Sequence, residues 1–124
     1  MNIITLINTA NIFNQFAQIK ISSKLAYKIM KFCKSVATEE EFYNKKRNEI
    51  IDEYAVKDET GQVVADDDGI IKIMPDKIAE ASAAMTELNS VDVGVPNVKF
   101  TLDELEELEF SVSDMFALDA FIEE

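Results

Sequence analysis

Histidine does not occur anywhere in this chain of 124 residues. Its absence removes the side chain that most often moves protons near neutral pH and the commonest transition-metal ligand, so His-dependent triads and His-containing zinc sites are excluded. Cysteine occurs once, at Cys33. A lone cysteine cannot close an internal disulfide, and beside Phe32 and Val36 it reads as a small core hydrophobe of a reducing compartment. Glycine, at three residues, and proline, at two, are scarce, which favours helices over a turn-rich sheet. Residues 1–18 have neither a basic start nor a long apolar run, so no signal peptide or membrane span is expected and the cytosol is the expected location.

Charge of one sign is also missing from each end. The first 38 residues contain no acid, and the last 25 contain nine carboxylates and no base. Through Lys57 there are nine bases against six acids, net +3; beyond it there are three against eighteen, net −15. Such a layout makes charge complementarity, within the fold or with a partner, the main determinant of what the protein touches. The overall net charge of −12 disfavours direct binding to nucleic acid or to an anionic membrane, because phosphate contacts need surplus cations.

What is present is the material of a core: 48% apolar residues, eight of them Phe. A chain of this length buries roughly two thirds of its unfolded surface. The expectation is a single, mainly α domain over 1–124 with a small β-hairpin: an N-terminal helix and link (1–21), a helix-hairpin-helix body (22–90), and an extended link with acidic helices (91–124).

The apolar residues Leu6, Ile7, Ala10, Phe13, Phe16 and Ala17 recur at three and four, predicting a helix over 5–16 with Asn8 or Thr9 near its start. Ser22 or Ser23 suits the N-cap of a longer second helix. In that helix positions 25, 29, 32, 36, 39, 43, 46 and 50 form a 3.5-residue repeat with Glu39 and Lys46 as its polar exceptions. Thr38 and Glu41 also fit a capping box, so the helix either runs on or stops and restarts there. The runs 62–65 and 70–73 flank Asp66-Asp67-Asp68-Gly69, a hairpin signal, and Asp58 to Gly61 is turn-like. Pro75-Asp76 opens a third helix carrying Ile78, Ala81, Met85 and Leu88. Residues 91–100 read as an edge strand or strap. Thr101 with Glu104 caps a short acidic helix, and Ser113-Asp114 caps a last one with Met115, Phe116, Leu118, Ala120, Phe121 and Ile122 as its apolar face. No internal repeat is evident.

Three constellations invite a functional reading. Asp66-Asp67-Asp68-Gly69 resembles part of a calcium loop, but placing Gly69 sixth puts Val64 first and Pro75 twelfth, neither of which can ligate, so a solvated turn remains. Lys20, Lys24, Lys28, Lys31 and Lys34 fall within about 120° of a helical wheel. The plain reading is a solvated face; the sharper one is a docking surface for the acidic C-terminal segment of the same chain or of a symmetry mate. In 101–110, Leu102, Leu105 and Leu108 are spaced for packing. Asp103, Glu104, Glu106, Glu107 and Glu109 around them either dress an amphipathic helix or form an acidic face that competes for a basic groove on another protein. No catalytic, cofactor-binding or metal-ligating residue is assigned, no cofactor is expected, and the protein is expected not to be an enzyme.

The run Leu25-Ala-Tyr-Lys-Ile-Met-Lys, the stretches Phe42-Tyr-Asn-Lys-Lys-Arg47 and Ile50-Ile-Asp-Glu-Tyr54, and the turn Lys57-Asp-Glu-Thr-Gly61 together resemble a widespread family of small proteins of unknown function encoded by tailed bacteriophages, over roughly residues 20–110. The layout also resembles a prefoldin subunit, with a second helix, about 76–89, too short for that family's paired arms. The phage resemblance implies a small protein of an infected bacterial cell: an inhibitor or adaptor of a host protein or, alternatively, a self-associating component of virion assembly located in the virion. It brings no site residues with it.

Overall fold

The computed structural model describes residues 1–123. It is mainly helical, with helices α1 (Ile3–Asn14), α2 (Ser23–Tyr54), α3 (Ile78–Asn89), α4 (Leu102–Leu105) and α5 (Val112–Leu118), and with short strands β1 (Phe100–Thr101) and β2 (Ile122–Glu123). The chain divides into two compact units, one made of Met1–Glu40 with Asp92–Glu124 and the other of Glu41–Val91. The first therefore joins both outer segments of the chain to the start of α2.

In the first unit α1 starts at Ile3, with Asn2 as its N-cap, not near Asn8 or Thr9. Ile3-Ile4-Thr5 is a β-branched triplet of modest helix propensity, and burial of Ile3, Leu6 and Ile7 draws it into the helix. The start is tied down by the Met1 ammonium, 2.9 Å from the Asp92 carboxylate, and by the Val93 N–H, which donates to the Met1 carbonyl at 2.9 Å. Thr9 is fully buried, and its hydroxyl donates to the Thr5 carbonyl at 2.8 Å. Around α1 gathers an aromatic core: the Phe13 and Phe32 rings lie 5.3 Å apart, Phe13 and Phe100 4.9 Å, and Phe32 and Phe121 4.8 Å. Each buried ring contributes about 1.5–3 kcal/mol by transfer from water, plus a smaller edge-to-face gain.

The second helix is continuous through Thr38, and the capping box suspected there is unused. Thr38, Glu39, Glu40 and Glu41 are all tolerated in a helix interior, so nothing local forces a break. The 3.5-residue seam is the buried line: Leu25, Phe32, Val36 and Tyr43 are buried, and the exception Lys46 is exposed.

The end of the first unit departs from expectation in two places. Ser111, not Ser113, caps α5: its hydroxyl accepts from the Asp114 N–H, and the Asp114 carboxylate accepts from the Ser111 N–H. The last helix stops at Leu118; a short 3-10 turn, Asp119–Phe121, then leads into β2. There β2 pairs parallel with β1, Phe100 opposite Ile122 and Thr101 opposite Glu123.

The second unit contains the expected hairpin and more. The Val56 N–H donates to the Lys72 carbonyl (2.8 Å), the Lys72 N–H to Val64 (3.0 Å), and the Val64 N–H back to Val56 (2.9 Å), a closed ring of residues eight apart. From it radiate three antiparallel arms, bridged by Lys57 with Val63, Ala65 with Ile71, and Ala55 with Ile73. Two arms end in matching turns. The Asp58 carboxylate accepts from the Thr60 and Gln62 N–H groups and that of Asp66 from those of Asp68 and Ile70, while Gly61 and Gly69 take φ of 85° and 80°, the left-handed region that glycine enters without strain. The third arm opens into α2 and α3 through Tyr54 and Met74. An eight-residue repeat therefore exists where none was evident in the sequence. Between α2 and α3 the Tyr43 hydroxyl donates to the Asn89 side-chain carbonyl at 2.7 Å, and Leu88 and Ala81 are buried.

The Phe32 ring is fully buried, whereas Phe116 is 80% exposed. Phe32→Ala is expected to cost about 3–5 kcal/mol of folding free energy and Phe116→Ala less than about 0.5. Urea unfolding of both variants followed by circular dichroism checks this; equal losses would show that the aromatic core is misassigned.

Candidate protein-docking site

The five acids expected to form one face are divided by the fold. Glu104 turns inward: its Oε1 accepts from the Lys28 ammonium at 2.8 Å, from the Thr101 N–H at 3.0 Å and from the Thr101 hydroxyl at 3.1 Å. The Lys28 hydrogen bond first, then that of the Thr101 backbone, holds its carboxyl below the usual glutamate range. Its Oε2 is buried without a partner. Glu107 accepts from the Ser22 N–H at 2.8 Å and the Ser22 hydroxyl at 2.6 Å, which also lowers its pKa. Asp103, Glu106 and Glu109 are exposed. Of the three leucines, Leu105 and Leu108 are buried, but Leu102 is 56% exposed and does not pack the helix.

The basic stripe is redrawn in the same way. Lys20 precedes α2, so of the five stripe lysines the helix carries four, Lys24, Lys28, Lys31 and Lys34. Lys28 is spent internally: beyond its bond to Glu104, its ammonium donates to the Lys99 carbonyl at 2.7 Å and sits 5.7 Å from the Phe100 ring centroid. Lys24 and Lys31 border an open concavity shared with Tyr27, Asn97 and Lys99. The Lys31 ammonium lies 5.8 Å from the centre of the Tyr27 ring. Stripe and acidic segment thus meet within one chain, at Lys28 and at the Ser22 cap.

A surface that the sequence reading did not single out lies on the acidic side. Leu102, Val112, Met115, Phe116 and Ile122, with Asp119, line a groove of about 380 Å³. Val112 and Phe116, four apart on α5 and hence on one face, are 74% and 80% exposed. The register of β1 against β2 brings Ile122 alongside the start of α4, where Leu102 follows Thr101. Asp103 and Glu123 line the adjoining dent with Leu102, so carboxylates edge the apolar strip. The expected apolar face of the last helix is in fact two faces: Leu118 and Phe121 enter the core, and Phe116 points away from it. A legible signal existed, since Val112 and Phe116 lie on one side of the helical wheel and Leu118 on the other.

Cys33 is half-buried, with its thiol 3.6 Å from the Asn14 side-chain carbonyl. Burial, followed by the Glu40 charge, pushes its pKa up, which keeps the thiol protonated at neutral pH. Among the described residues no group of His, Cys, Asp or Glu is placed to hold a metal ion, and no helix is long and apolar enough to cross a membrane. Comparison with known proteins finds no matching family model, curated protein or solved structure.

Because the folded-state pKa of Glu104 is depressed, its pairing stabilises the fold above the ordinary glutamate value of about 4.3 and is lost as pH falls through the lower folded value. Urea unfolding across that acid range should therefore show the parent protein losing stability more steeply than Glu104→Gln. Parallel curves would mean that the Lys28–Glu104 contact carries no linkage.

Proposed function

We propose that the chain is a non-enzymatic protein-binding factor whose working surface is the carboxylate-edged groove over α4, α5 and β2. The observation that carries this reading is the contiguity of Leu102, Val112 and Phe116, each more than half exposed. Scattered apolar side chains on a surface are ordinary, but a connected strip bordered by charge is the composition of a contact surface. Its occupant is an apolar side chain or short helix flanked by Lys or Arg: the apolar strip supplies affinity, while Asp103, Asp119 and Glu123 supply orientation and reject acidic competitors. Glu106 and Glu109 extend the same negative field and assist encounter. Taken with the resemblance to the phage family, the protein acts in the cytoplasm of an infected bacterium, as an inhibitor or adaptor of a host protein. Nucleic acid and anionic lipid are poor occupants for a surface of this sign.

A synthetic amphipathic helix of Leu and Lys, titrated calorimetrically, should bind, and the same peptide with Glu in place of Lys should not. Phe116→Asp should weaken the Leu-Lys peptide by more than about tenfold while leaving the circular dichroism spectrum unchanged. Undiminished binding by that variant would remove the groove as the working surface.

A further inference from the structure

We infer that the chain carries the ligand for its own groove, so that a second copy docks head to tail, with Tyr27 of one molecule seated against Leu102 and Phe116 of the next; this rests on the groove being a protein-docking surface. Tyr27 is 58% exposed and its neighbour Met30 49% exposed. On α2 Tyr27 lies three residues from Lys24 and four from Lys31, the spacing that puts all three on one helical face. Both lysines are exposed, and neither has an ion-pair partner among the described residues. The result is an exposed aromatic knob at the rim of the open concavity, with Lys24 and Lys31 on its helical face and the Lys31 ammonium 5.8 Å from the ring centre. This is the chemistry that an apolar groove edged by Asp103, Asp119 and Glu123 selects: a ring of about 150–250 Å² to bury, beside cations that meet carboxylates.

Knob and groove are made of different residues of the same folded unit, Tyr27 held by α2 and Phe116 by α5. Docked head to tail, their union is heterologous and leaves a free groove at one end of each open assembly and a free knob at the other. Lys28 is not needed for it. The charge of Lys28 is committed to Glu104, while Lys24 and Lys31 have no ion-pair partner among the described residues. The association weakens with salt, since its charged part is exposed. A host partner with the same basic and apolar chemistry competes with the second copy for the groove.

Sedimentation of the full chain over a range of concentrations should show a mass above that of the monomer at low ionic strength, falling towards the monomer at high salt. Phe116→Asp, which lacks the groove, and the double variant Lys24→Glu, Lys31→Glu, which lacks the knob's charge, should each be monomeric alone. Mixed in equal amounts they should form a one-to-one dimer that grows no further, because each supplies the surface the other has lost. If charge reversal perturbs the helix, Tyr27→Ser takes its place. A parent protein that stays monomeric at every concentration and salt, yet still binds the Leu-Lys peptide through Phe116, overturns self-docking and leaves the docking surface standing. Loss of both overturns both. A parent protein that associates while the mixed variants remain monomeric shows a different contact and also sinks the inference.

Discussion

The first folded unit depends on the contact of four phenylalanine rings. Phe13 comes from α1, Phe32 from α2, Phe100 from β1 and Phe121 from the turn before β2, and all four are almost wholly shielded from water. Their positions are far apart in sequence, so closing them together costs loop entropy that only the burial of large apolar surface offsets. Once closed, they fix everything that follows. Phe100 and Phe121 bring β1 against β2, the parallel pairing aligns Thr101 with Glu123, and the capping box at Thr101 sets the direction of α4. The groove is the outer side of that arrangement.

Charge acts on this frame in two distinct ways. Where the Lys28 and Glu104 side chains are largely covered, an ion pair reinforced by backbone hydrogen bonds stitches α2 to the acidic segment. Its worth lies mainly in leaving neither charge bare, since an uncompensated buried charge is far more costly than the pair is stabilising. Where the side chains are exposed, as at Lys24, Lys31, Asp103 and Glu123, an ion pair contributes at most about 1 kcal/mol to stability. The sequence polarity is thus divided between an internal clasp and two outward surfaces of opposite sign.

The long, strongly periodic features were legible. The second helix, its buried line from Leu25 to Tyr43, the capping box at Thr101 and Glu104, and the Asp-Gly hairpin all follow from local rules, because they need only neighbours within a turn or two. The eight-residue repeat escaped because backbone groups, not side chains, close the ring at Val56, Val64 and Lys72. Two repeats share Asp and Gly at matching places, but the third has Met74 and Lys77 where a helix begins. The start of α1 escaped because its β-branched triplet is helical through burial rather than propensity. Within the candidate site, the acidic residues, the lysine stripe and their docking within one chain as one alternative were legible; which of them pair, Lys28 with Glu104, and the apolar groove beside them were not.

Composition and spacing alone determined that the protein is helical, that it carries no histidine chemistry, and that its two ends bear opposite charge, since these are properties of residues and of local periodicity. Tertiary structure alone decided that Glu104 and Lys28 face inward while Asp103, Lys24 and Lys31 face water, and that Leu102 and Phe116 stay uncovered while Leu105 and Phe121 do not. The physical reason is that a helical period states which residues share a face but not what covers it. In helices as short as α4 and α5, apolar residues lie on more than one side, and only the surrounding chain selects the side that is buried.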